Sequence, residues 1–406
     1  MRKIKQIMQF HVLISCLIIQ FGMSACAQNK SEELIVGADN YQEYLPALES
    51  KNIAIVANQS SLIAGEHLVD FLLAKNVQIA KIFSPEHGFR GNADAGEKIA
   101  NGKDVKTGLS IISLYGKHYK PSAKDLEGVN LVLFDIQDVG VRFYTYISTL
   151  HYVMEACAEQ NIPLIVLDRP NPNGHYVDGP VLEMEHSSFV GMHPVPVVYG
   201  MSIGEYAKMI NGEHWLKNKI QCDLKVVPCQ NWNRNKIYSL PVKPSPNLPN
   251  DLSVSLYPSL CFFEGTEVSA GRGTDAPFQL YGHPSFTQGE YKFTPRSISG
   301  ASKYPKFKGK ECTGYDLRTI NTQEFRNRKE IDLSFLLTAY GELKKMEPKF
   351  FNSFFMNLAG TKKLRKQIEN SLSEEEIRKS WDADIHNFLK IRSKYLIYSD
   401  FENERN

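Results

Sequence analysis

Four short apolar runs in the first half of the chain each stop at a cluster of polar, mostly ionisable residues. Ile53–Ala57 ends at Asn58-Gln59-Ser60, and Val77–Phe83 at Ser84-Pro85-Glu86-His87-Gly88. Val129–Phe134 ends at Asp135-Ile136-Gln137-Asp138, and Pro163–Leu167 at Asp168-Arg169-Pro170-Asn171. Unbroken Val/Ile/Leu runs mark strands buried on both faces of a parallel sheet. Helical patterns separate them. Leu68, Phe71 and Leu72 share one face of Glu66–Lys75, and Leu150, Val153, Met154 and Cys157 recur at helical spacing through Thr145–Gln160. From Leu34 to about Tyr199 this alternation predicts an α/β fold with right-handed crossovers. Ligands in such sheets bind outside the carboxyl ends of the strands, so the polar clusters fall along one candidate edge.

The pattern then changes. From about Pro194 to Pro305 the chain is rich in Pro and Gly, and Pro241-Val242-Lys243-Pro244-Ser245-Pro246-Asn247-Leu248-Pro249 can be neither helix nor central strand. It reads as an extended connector across a surface or a domain junction. Helices dominate from Ile331, with a capping box at Ser373 and Glu376 ahead of Ile377 and Trp381. The apolar pattern of Phe388–Tyr398 is expected to dock on the second domain.

Composition narrows the function. With 406 residues, 42% of them hydrophobic, the chain can bury one large core or two smaller ones. A net charge of +2 argues against a nucleic-acid partner. At the N-terminus, Met1-Arg2-Lys3-Ile4-Lys5 is a basic region and His11–Gly22 is apolar but too short to span a bilayer. Met23-Ser24-Ala25-Cys26 then resembles a lipobox, so Cys26 is expected to be lipidated and to begin the mature protein. The rival is ordinary cleavage after Ala25-Cys26-Ala27. Both export the chain, to the periplasm or an outer-membrane anchor. Of seven cysteines, five lie beyond Cys26, an odd number without Cys-x-x-Cys spacing. Most of them sit in apolar stretches and read as small buried hydrophobes, while Cys222 and Cys229 are placed to pair across the strand around Leu224–Val227.

Glu86 is the strongest chemical candidate, since Pro85 and Gly88 impose a turn that projects it over the sheet edge. It fits a catalytic carboxyl, with His87 tuning it, and equally a cap or an ion pair with Arg90. The Gly/Ala-rich loop Phe89–Lys98 can fold over a ligand. Asp135 and Asp138, flanking Gln137, supply the second carboxylate that glycoside hydrolysis uses, or are structural acids held by backbone N–H groups. Arg142 suits two-pronged recognition of a carboxylate, with Tyr144 beside it for sugar stacking, or a salt bridge to Asp138. Asp168 and Arg169 open a rigid, proline-rich turn. Glu264, and Arg272 and Thr274 in Gly271-Arg272-Gly273-Thr274-Asp275, form a second cluster, where flanking glycines let the arginine approach an anion. No Gly-x-Gly-x-x-Gly follows the first strand, and the histidines lack ligand spacing, so neither a nucleotide cofactor nor a metal is indicated.

Several of these motifs resemble one family. Phe83–Gly91, Phe134–Tyr146, Asp168–Pro172, Pro244–Pro249 and the stretch from Tyr257-Pro258-Ser259-Leu260 through Glu264-Gly265-Thr266 to Gly271-Arg272-Gly273-Thr274 are similar to the exo-β-N-acetylmuramidases called NamZ, formerly a family of unknown function. Glu267 stands where the family pattern usually has Asn. The resemblance implies a Rossmann-like N-terminal domain (34–200), a smaller α/β C-terminal domain (201–406) and an active site in the cleft between them. It implies that Glu86 is catalytic and that the substrate is a peptidoglycan fragment ending in N-acetylmuramic acid. On this reading Glu86 is general acid/base, Asp135 or Asp138 its partner, and Arg272 and Arg142 hold the lactyl carboxylate. A sugar-capturing surface lipoprotein without catalysis, and a metal-dependent hydrolase using Glu86, His87, Asp135 and Asp168, are the alternatives.

Overall fold

The apolar runs become neighbouring strands in the computed structural model, which describes residues 33–86, 88–90, 101–346 and 349–401. The first layer contains β1 (Asn52–Ala57), β4 (Gln78–Ser84), β5 (Gly102–Lys103), β6 (Ser110–Ser113), β7 (Leu131–Asp135), β8 (Leu164–Leu167) and β9 (Leu224–Val227). β2 (Leu62–Ile63) and β3 (Glu66–His67) pair only with each other. The sheet order is β5-β6-β4-β1-β7-β8-β9. Every pairing is parallel except β5 with β6. All of β7 and β8, and all of β1 beyond Asn52, are buried, which is why these strands read as continuous apolar runs. The last strand comes from residues 224–227, beyond residue 200.

Register sets the carboxyl ends level: Val56 lies opposite Phe83, Ala57 opposite Asp135, and Phe134 opposite Val166. The chain adds β4 and β6 on one side of β1, then returns to add β7, β8 and β9 on the other. That reversal opens a crevice at the carboxyl ends near β4, β1 and β7, the usual place for a ligand in an open α/β sheet. The helix predicted between β7 and β8 spans Tyr146–Glu159, and its first residues face this edge.

The smaller C-terminal layer has an antiparallel sheet, β10 (Leu280–His283), β12 (Cys312–Asp316) and β11 (Tyr291–Phe293) in that spatial order, together with short helices. The expected capping box forms: the Ser373 hydroxyl accepts the Glu376 N–H and starts helix Glu374–Lys379. The segment from Pro241 to Pro249 carries neither helix nor strand, and Asn250 right after it caps helix Asp251–Leu260. One apolar core runs through both layers, from Ala54 to Phe401.

Two expectations are corrected. The C-terminal segment returns to the first sheet rather than docking on the second layer. The Tyr398 hydroxyl donates to Asp168 at 2.6 Å and accepts the Cys229 N–H at 2.8 Å, while Arg392 donates to the Gly200 carbonyl. Cys222 and Cys229 are separate buried thiols, and burial raises both pKa values.

Candidate active site

A cavity of about 380 Å³ lies where the carboxyl ends of β4, β6 and β7 meet the C-terminal layer. The first layer contributes Glu86, Tyr115, Tyr119, Phe143, Tyr144 and Thr145. The connector contributes Ser245 and Asn247, and the C-terminal layer Tyr257, Glu264, Arg272, Phe278 and Phe354. Its volume falls in the range of small-molecule sites, and aromatic walls with a few polar groups are their usual make-up.

Glu86 stands two residues past β4. The Thr145 hydroxyl, at the N-terminal end of helix Tyr146–Glu159, donates to Glu86 Oε2 at 3.1 Å. Tyr115, two residues past β6, is hydrogen-bonded to the same carboxylate; burial first and then Glu86 push its phenol pKa up. Two strand ends and one helix start thus converge on one carboxyl group. Tyr144 is held by its hydroxyl, which donates to the Pro244 carbonyl at 2.6 Å.

Opposing charge enters from the C-terminal layer. Arg272 Nη1 donates to Glu264 Oε1 at 2.6 Å. Burial pulls the guanidinium pKa down, but Glu264 more than offsets this and raises it. Arg272 Nε is buried and has no hydrogen-bond partner among the described residues. The flanking glycines are required: Gly271 (φ +76°) and Gly273 (φ +82°) are left-handed, and a Cβ on Gly273 would meet Pro305 Cγ at 2.6 Å. Thr274 does not line the cavity; its hydroxyl closes this turn on the Gly271 carbonyl at 2.6 Å.

Lys306 was not foreseen. It lines an adjoining cavity of about 290 Å³ that shares Glu264, Arg272 and Phe354 with the first. Its ammonium donates to the carbonyls of Phe263, Glu264, Thr266 and Val268, tying down the turn that presents Glu264. Burial lowers its pKa to about 8, against the pull of Glu264 and Glu267. A lone lysine in Tyr304-Pro305-Lys306-Phe307 carries no signal of this. Tyr115 was also missed, because β6 contains only two consecutive large apolar residues, Ile111 and Ile112.

The structure therefore brings Glu86, Tyr144, Glu264 and Arg272 together. The remaining expected site residues that the structure describes lie elsewhere. Asp135 is fully buried in a bidentate pair with Arg169, at 2.6 and 2.8 Å. Asp138 is buried, accepts from the Tyr199 hydroxyl and the Gly140 N–H, and has its pKa raised by burial to about 6. Gln137 bridges the carbonyls of Asp138 and Pro170. Arg142 is neither a substrate clamp nor a partner of Asp138. Its buried guanidinium donates to the carbonyls of Pro180, Val195, Leu358 and Ala359 at 2.7–2.8 Å. Asp168 accepts from the hydroxyls of Ser202 and Tyr398 and from the Gly204 N–H, at the start of helix Ile203–Gly212. Arg90 pairs with Asp104 at 2.7 Å and with Asp70, so it does not serve Glu86. His87, Cys26 and most of the Phe89–Lys98 loop lie outside the described residues.

In chemical terms the cavity offers one hydrogen-bonded carboxyl group, a second carboxylate paired with an arginine, and aromatic walls. That set can transfer a proton to a glycosidic oxygen and hold an anionic substituent. Comparison with known proteins gives the family. Residues 53–252 match the N-terminal, and residues 255–398 the C-terminal, family profile described as exo-β-N-acetylmuramidase NamZ. The peptidoglycan β-N-acetylmuramidase NamZ of Bacillus subtilis is 39% identical over 374 residues, covering 88% of this chain and 89% of its own. A crystal structure of a DUF1343 family protein from Bacteroides fragilis superposes with a TM-score of 0.85 at 46% identity, covering 91% of this chain and all of the other. A second from the same organism gives 0.77 at 27% identity, covering 90% and 99%. The chain belongs to the NamZ family of exo-β-N-acetylmuramidases.

Proposed function

We propose that this enzyme removes a terminal, non-reducing, β-1,4-linked N-acetylmuramic acid from peptidoglycan fragments. The meeting of Glu86 with the Glu264–Arg272 pair in one cavity carries the reading. Glu86 donates its proton to the departing glycosidic oxygen and then withdraws one from water, its carboxyl oriented by Thr145 and Tyr115. The lactyl carboxylate of muramic acid calls for a cation, and Arg272, which lines the cavity with its side chain partly exposed, supplies one. Glu264 fixes that guanidinium. The substrate's own acetamido oxygen can serve as the nucleophile, as in other N-acetylhexosaminidases.

The test uses a muramyl–N-acetylglucosamine disaccharide beside a counterpart lacking the lactyl group. Release of both monosaccharides is expected from the first. Arg272→Met should reduce the preference for it about 10- to 100-fold, the worth of one charged hydrogen bond. Binding without release would leave a sugar-capturing protein; an unchanged preference would remove Arg272 from lactyl recognition.

The N-terminal pattern supports export, with Cys26 carrying a lipid anchor, which would place the enzyme among wall fragments. Labelled fatty acid should enter the wild type and not Cys26→Ser. A mature N-terminus beginning after Ala27 would refute the anchor.

A further inference from the structure

Glu86 must lie between the two sugars whose bond it protonates, so its neighbours fall within reach of the ring that leaves. On one side that neighbour is Tyr115, and Tyr115 begins a row of aromatic rings. Its centroid lies 6.2 Å from that of Tyr119, and Tyr119 stacks on Phe189 at 4.0 Å. Tyr152 is nearly parallel to both, 6.3 Å from Tyr119 and 6.4 Å from Phe189. The four rings come from three segments: the loop after β6, helix Tyr146–Glu159, and the stretch after His186. All four are half-buried. Tyr115, Tyr119 and Phe189 line the Glu86 cavity, and Tyr152 carries the row beyond that lining.

Of the basic residues beside Tyr115 and Tyr119, two are engaged, and the third, Lys117, is exposed and does not line the cavity. Lys120 pairs with Glu155 and Glu159, and His118 with Asp125. What remains is ring surface and phenol oxygen, suited to the C–H face and hydroxyls of an uncharged sugar rather than to an anion. We propose that Tyr115, Tyr119 and Phe189 form the site for the leaving sugar, an uncharged N-acetylhexosamine ring, with Tyr152 meeting the next ring of a longer glycan. The assignment rests on the muramidase reading above and adds to it a preference for a saccharide leaving group.

The test compares kcat/KM for the muramyl disaccharide with that for methyl β-N-acetylmuramide, whose leaving group has no ring. Phe189→Ala and the better-packed Phe189→Leu should each lower the disaccharide-to-methyl ratio at least tenfold, and Tyr119→Leu should do likewise. A ratio within twofold of wild type in folded Phe189→Leu overturns the leaving-sugar site while the muramidase reading stands. If the wild type cleaves neither compound, the muramidase reading fails, and this site fails with it.

Discussion

Arg272 is pinned at one nitrogen by Glu264, and Glu264 sits on a turn pinned by Lys306. The substrate-facing cation therefore depends on an ammonium in the adjoining cavity. Burial lowers that ammonium to about 8. As pH rises through this value, the carbonyls of Phe263, Thr266 and Val268 lose a shared donor, and the Glu264 turn loosens. Global stability moves the other way. Between about pH 8 and the ordinary lysine range, the unfolded chain keeps a proton that the folded chain has released, so this group adds stability as pH rises. Activity should thus fall above pH 8 while Lys306 brings no matching fall in Tm. In Lys306→Arg, whose guanidinium keeps its charge, the alkaline limb should move up by a unit or more. An unmoved limb in pH–rate profiles would refute the link.

Strand ends are where reading from sequence succeeds and then stops. The bounds of β1, β4, β7 and β8 were legible because strands covered on both faces leave unbroken apolar runs. Their level carboxyl ends followed from the alternation with helices. Glu86 and Arg272 were legible because each stands in a turn that proline or glycine forces outward. Asp135 and Asp168 occupy equivalent strand ends, yet neither reaches the cavity. Position puts a side chain at the edge; whether another segment covers it is decided by distant partners. Arg169 and the Ser60–Ser61 turn cover Asp135, and Tyr398 covers Asp168. The C-terminal segment does the work of a lid on the β8 end, and it can be tested there. Burial raises Asp168 to about 6. Its folded pKa exceeds the unfolded one, so its contribution is full below about pH 4 and is lost as pH rises through 6. Tyr398→Phe removes one donor from the charged form, at a cost of about 1–3 kcal/mol. Denaturant unfolding should show a larger penalty at pH 8 than at pH 5, with kcat preserved. An equal penalty at both would contradict this role.

At the scale of the whole molecule, the cavity exists because two layers share one core. Arg142 binds them, donating to Pro180 and Val195 on one side and to Leu358 and Ala359 on the other. Phe143, next in the chain, meets Tyr257 and Phe262 edge-on at 5.4 and 5.9 Å, contacts worth about 1 kcal/mol each beyond their buried area. The sequence Val141–Tyr146 thus joins the layers with its first residues and lines the cavity with its next ones. Glu86 arrives from one layer and Arg272 from the other, and the proposed chemistry requires both around one muramic acid ring. Glu86→Gln tests this most directly, because it keeps the shape of the side chain and removes its proton transfer. With the muramyl disaccharide, kcat should fall by about 10³-fold or more, while the disaccharide's Kd, measured by calorimetry, stays within about threefold of its wild-type KM. Turnover within about tenfold of wild type would contradict the assignment of Glu86 as the acid on which the account depends.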